Sequence, residues 1–63
     1  MMQILIVSMA HGKIFVKLPL IPRKKEGIGY YYNGAYYIGI IFSIVYQFDE
    51  NNNFKYVEIT VEQ

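Results

Sequence analysis

Gly27-Ile28-Gly29-Tyr30-Tyr31-Tyr32-Asn33-Gly34-Ala35-Tyr36-Tyr37-Ile38-Gly39-Ile40 reads as a β-hairpin. Asn33-Gly34 is the dipeptide that tolerates positive φ at both central positions of a type I′ turn, and such turns match the twist of the strands they join. A two-residue turn there sets Tyr31 opposite Tyr36, Gly29 opposite Ile38 and Gly27 opposite Ile40. The other face then carries Tyr30 with Tyr37 and Ile28 with Gly39. Glycine facing a large residue three times points to a curved sheet.

The flanking sequence repeats the pattern. Gln3–Ala10 and Lys13–Leu18 are joined by His11-Gly12, and a two-residue turn pairs Met9 with Ile14, Val7 with Val16 and Leu5 with Leu18. The first of these strands is apolar on both faces, which suits a position inside the sheet. Ala35–Asp49 and Asn53–Glu62 form a third hairpin around Asn51-Asn52. There the apolar pairs Phe42–Val61, Ile44–Ile59 and Tyr46–Val57 select the register, because a slip of one residue would set Ile44 against Glu58. Ala35–Asp49 is far longer than an ordinary strand, so it must bend, with Gly39 and Ser43 as the expected points. No capped helical stripe is present. The expectation is one all-β domain over residues 1–63, a five-stranded antiparallel meander curled into a barrel or half-barrel that resembles SH3-like barrels in architecture. The expected core face of the long strand is Tyr36, Ile38, Ile40, Phe42, Ile44 and Tyr46.

Composition bounds what such a domain does. The 63 residues include no cysteine and one histidine, so neither disulfides nor a structural zinc site hold the small core together. A net charge of +1 argues against a strongly basic nucleic-acid binder. Gly27–Phe48 is 22 residues without a charge, but its six tyrosines and the Asn33-Gly34 turn do not suit a membrane span. Met1–Ala10 lacks the basic start of a secretory signal. The expectation is a cytoplasmic protein without membrane contact.

No catalytic set stands out, and no enzyme activity, metal or cofactor is expected. His11 sits where a turn needs it, before Gly12. Asp49, Asn51 and Asn53 match the first ligands of a calcium loop, but Phe54 replaces its glycine and Thr60 its glutamate, so a hairpin loop is the better reading. Arg23, Lys24 and Lys25 are the one basic cluster and lead toward three tyrosines, so a nucleic-acid or nucleotide site there is the alternative reading.

More large apolar residues are present than one face of a small sheet can bury. The surplus predicts a homo-oligomer with Ile41, Val45, Phe15 and Tyr56 at the subunit interface, and a protein-binding site at Tyr30, Tyr32, Tyr37, Leu20 and Ile21. Residues with AT-rich codons (Ile, Tyr, Phe, Asn, Lys and Met) make up 33 of the 63, which suggests an AT-rich source genome. In size and style the chain resembles the small accessory proteins of phages and mobile elements, which implies an inhibitory module that blocks a host protein. A structural subunit of a larger assembly is a further alternative.

Overall fold

The computed structural model describes residues 1–63 as five strands without a helix: β1 (Met2–Ser8), β2 (Gly12–Leu18), β3 (Gly27–Tyr32), β4 (Ala35–Phe48) and β5 (Phe54–Glu62). They form one sheet in the order β2-β1-β5-β4-β3 that curls into a half-barrel with β2 and β3 as its open edges. No helix is long and apolar enough to cross a membrane. The all-β, five-stranded expectation holds, with one difference in topology. β5 inserts between β4 and β1 and runs parallel to β1, with Ile4 opposite Val57 and Ile6 opposite Ile59, so the sheet is not a simple meander. β1 therefore lies inside the sheet, as its two apolar faces require.

The β3–β4 hairpin has the register the Asn33-Gly34 turn dictates, from Gly27–Ile40 to Tyr32–Ala35. Asn33 and Gly34 take φ of 51° and 82°, the left-handed pair a type I′ turn needs. The β4–β5 register agrees with the sequence from Ser43–Thr60 to Gln47–Tyr56. Beyond Ser43 it shifts by one residue, so that Ile41, not Phe42, faces Val61. Phe42 is the extra residue of a bulge, one position before the expected bend at Ser43.

That bulge reverses the phase of the first half of β4. Tyr37, Gly39 and Ile41 turn inward, and Tyr36, Ile38, Ile40 and Phe42 turn to solvent, the reverse of the expected faces. The core is Ile4, Ile6, Tyr30, Ile41, Val57, Ile59 and Val61, flanked by half-buried residues that include Ile14, Val16, Ile21, Tyr37 and Ile44. Gly39 is required there: a Cβ at this position would lie 2.8 Å from the Val61 side chain.

The β1–β2 hairpin is three residues out of the expected register, with Ile6 opposite Ile14 and Ser8 opposite Gly12. Its loop is Met9-Ala10-His11 followed by Gly12 at φ 83°, a three-residue connection closed by a left-handed glycine. The Ser8 hydroxyl holds this loop by accepting the N–H groups of Ala10 (3.2 Å) and His11 (3.3 Å). Met9, expected in the core, projects into solvent.

Two loops carry local predictions. Arg23–Glu26 is a turn closed by the Glu26 N–H on the Arg23 carbonyl (3.2 Å), and Lys25 takes φ 75° in it. A side chain there costs about 1–2 kcal/mol and a glycine loses about 0.5–1 kcal/mol of chain entropy, so Lys25→Gly is expected to gain up to about 1.5 kcal/mol in a urea titration. Asp49 closes the β4–β5 loop, accepting the N–H groups of Asn51 (2.8 Å) and Asn53 (2.9 Å) on one oxygen. The Asn53 N–H, with help from Asn51 and the charge of Lys55, holds the Asp49 carboxyl below its ordinary 3.8. A depressed carboxyl contributes stability above its unfolded value and loses it as pH falls through the folded one. Acid titration of the wild type should therefore show a loss below about pH 4 that Asp49→Asn removes.

Candidate functional site

The outer face of β3–β4 carries a row of exposed large apolar residues. Strand alternation places Tyr36, Ile38 and Ile40 on one side of β4, continued by Phe42 at the bulge, with Tyr31 of β3 opposite Tyr36. Their exposures run from 48% at Phe42 to 71% at Tyr31. Tyr31 and Tyr36 pack edge to face at 5.0 Å. Together they present on the order of 600 Å² of mostly apolar surface, at the upper limit of the largest patch on a typical monomer. No charged residue lies between Gly27 and Phe48.

The inner side of the same hairpin carries a polar clasp at one end of the half-barrel. His11 packs against Tyr37 at 4.0 Å and Tyr32 at 5.0 Å between ring centroids. Its Nδ1 lies 3.2 Å from the Tyr30 hydroxyl and 3.4 Å from Ser8 Oγ. Gln63 completes the group. Its Nε2 donates to the Ile38 carbonyl (3.2 Å), which orients the amide so that Oε1 accepts from Ser8 (2.6 Å) and Tyr30 (3.0 Å). Each hydroxyl has one proton, and both are spent on Gln63. This arrangement is satisfied by the tautomer of His11 that donates from Nδ1 to Tyr30 and Ser8. The group clamps the β1–β2 loop and β3 onto Gln63, next to an open cavity of about 300 Å³ lined by Met9, Ala10, Val61, Glu62 and Gln63. Nitrogen-15 NMR is expected to show the Nδ1–H tautomer in the neutral form of the ring.

These placements revise the sequence-based sites. Ile41, expected at the subunit interface, is fully buried, and Tyr30, expected at a partner site, is 4% exposed. Both lie on the inward side of the hairpin because of the phase reversal at Phe42, so neither can meet another chain. Tyr32 and Tyr37 are half-buried around His11. Ile21 packs against the core and Leu20 is exposed. Val45 and Phe15 do face solvent, and Phe15 meets the half-buried Tyr56 edge to face at 5.5 Å, beside the buried Leu5 that pairs with Phe15.

The basic cluster flanks the Phe42 end of the exposed row, where the Lys25 N–H reaches the Ile41 carbonyl (2.7 Å), and the length of β3 separates it from Tyr31 and Tyr36. The Arg23 guanidinium is paired with Glu26 at 3.5 Å. The exposed row escapes the sequence reading because Tyr36, Ile38, Ile40 and Phe42 are expected in the core. Its alternation was legible, but which side of it faced inward was not. Comparison with family models, curated proteins and solved structures gives no match to this chain.

Proposed function

We propose that this chain is a small non-enzymatic protein-binding module, of accessory or inhibitory type, whose binding surface is the outer face of β3–β4. The observation that carries this reading is the uncharged row Tyr31, Tyr36, Ile38, Ile40 and Phe42, all about half or more exposed on a paired hairpin. Interface cores are depleted in charge and enriched in aromatics. The clasp supports the non-catalytic reading, since the buried hydroxyl of Ser8 donates to Gln63 at 2.6 Å and lies farther, at 3.4 Å, from the His11 ring. The nucleic-acid alternative draws less support, because the exposed tyrosines it would use, Tyr31 and Tyr36, lie at the other end of β3 from its cations.

The test is capture of a protein partner from the producing cell by tagged wild type and by Ile38→Lys. Ile38 is 62% exposed, so the variant should fold with stability within about 0.5 kcal/mol of wild type. Capture by wild type that is lost in Ile38→Lys is the expected result. Equal capture by both, or salt-sensitive nucleic-acid capture that Lys24→Ala removes, would overturn it.

A further inference from the structure

We infer that β3 is a docking edge for the β3 of a second copy, paired antiparallel about a two-fold axis with Gly29 opposite Gly29 and Gly27 opposite Tyr31 of the other copy. This deepens the protein-binding reading by naming one partner.

The two open edges differ. β2 carries Lys13 and Lys17 along its length, charges of the kind that protect an edge from pairing. β3 carries no charge and no proline from Gly27 to Tyr32. Its backbone phase follows from two bonds. Ile41 accepts the Lys25 N–H (2.7 Å) and donates to the Glu26 carbonyl (3.0 Å), so Ile41 directs both its backbone groups at β3. Antiparallel ladders alternate, so the pairs Ile28–Gly39, Tyr30–Tyr37 and Tyr32–Ala35 are the hydrogen-bonded ones. The N–H and C=O groups of Gly27, Gly29 and Tyr31 are therefore left on the open edge, and all three residues are exposed.

The side chains at those positions fit a second backbone. Glycine in a strand marks close approach of a ligand or another chain. Gly29 has an internal reason, since a Cβ there would strike the Tyr36 phenol. Gly27 has none: its φ is not left-handed, and an added Cβ would meet only ordinary contacts at 3.8 Å. Antiparallel pairing centred on Gly29 lays the exposed ring of Tyr31 over Gly27 of the other copy, an aromatic covering a bare glycine across the strands. It uses all three outward residues of each copy. Centring on Tyr30 instead would bring Gly27 against Asn33, whose positive φ already belongs to the turn.

Charge selects the direction. Arg23, Lys24 and Lys25 precede β3 and the uncharged Asn33-Gly34 turn follows it. Parallel pairing would set two basic loops side by side. Antiparallel pairing separates them by the length of the strand, about 20 Å, beyond the screening length at physiological salt. Two-fold pairing also closes, so growth stops at the dimer. The two outer faces then join into one apolar surface of on the order of 1,200 Å², continuous across the axis.

The test uses light scattering and oxidative cross-linking of the full chain, which has no cysteine of its own. The wild type is expected to be dimeric at 100 micromolar or below. Tyr31→Lys should weaken dimerisation at least tenfold, whereas Tyr31→Phe and Ile38→Lys should not. The double variant Gly27→Cys, Tyr31→Cys should oxidise to a covalent dimer, and neither single variant should, because identical positions lie four residues out of register. A monomeric wild type would overturn the inference. A dimer lost in Ile38→Lys but kept in Tyr31→Lys, with no double-cysteine cross-link, would also overturn it and leave the outer-face reading standing. Equal partner capture by wild type and Ile38→Lys, with the cross-link intact, would instead overturn the outer-face reading alone.

Discussion

Replacing Ile41 by alanine is expected to cost about 3–4 kcal/mol, while the same change at its neighbour Ile40 should stay within about 1 kcal/mol. Ile41 has no exposed surface and sits among Tyr30, Ile59 and Val61, so its removal costs the transfer of three methyl or methylene groups plus the cavity they leave. Ile40 is 49% exposed and faces the outer side next to Glu62. A domain of this size has roughly 3–9 kcal/mol in total, so Ile41→Ala should leave a chain partly unfolded at 25 °C. Urea titration of both variants reads the difference directly. The measurement also decides the phase of β4. If Tyr36, Ile38, Ile40 and Phe42 formed the core, the two costs would be exchanged. Equal costs at both positions would contradict a sheet with one buried face.

The phase of β4 is where the sequence was least informative, and the reason is physical. Two rows compete, Tyr36-Ile38-Ile40-Phe42 and Tyr37-Gly39-Ile41, and local pattern favours the first because the second contains a glycine. The structure buries the second. Gly39 suits it because Val61, on a different strand, occupies the space a side chain would take. That is information carried by residues 22 positions apart, which no local pattern displays. By contrast, the β3–β4 register was legible because Asn33-Gly34 fixes it within four residues. The β4–β5 register was legible because Glu58 penalises the alternative. In the β1–β2 hairpin neither signal operates. β1 is apolar on both faces, so a slip of three residues still sets apolar residues opposite Ile14, Val16 and Leu18. What chooses is the Ser8 hydroxyl, which supplies the loop's hydrogen bonds and is itself buried against Gln63. The clasp around His11 was invisible for the same reason, since it depends on that register and on the parallel approach of β5. The site residues followed the phase: Val45, Phe15 and Leu20 are exposed, whereas Ile41 and Tyr30 are not.

Gly39→Ala should cost about 1–2 kcal/mol, although by intrinsic preference alone it ought to help. Alanine in place of glycine inside a strand gains roughly 0.5–1 kcal/mol by restricting the unfolded chain. Against this stands overpacking, which costs about 1–3 kcal/mol where neighbours cannot yield. The neighbour here is the Val61 side chain, whose Cβ and one methyl would both stand 2.8 Å from the new Cβ. The methyl belongs to a fully buried side chain with no free space to turn into, and the Cβ is fixed to the backbone of β5, which is held between β1 on one side and β4 on the other. Relief therefore requires β4 and β5 to separate, and the overpacking term wins. The double variant Gly39→Ala, Val61→Ala separates the two contributions. Val61→Ala alone should cost about 2–3 kcal/mol for a buried valine. Combined with Gly39→Ala it frees one of the two close contacts and leaves the other, so the pair should be less destabilised than the sum by about 1 kcal/mol. Additive costs would mean that the space beside Gly39 is not filled by Val61, and the inward phase of Tyr37, Gly39 and Ile41 would lose its explanation.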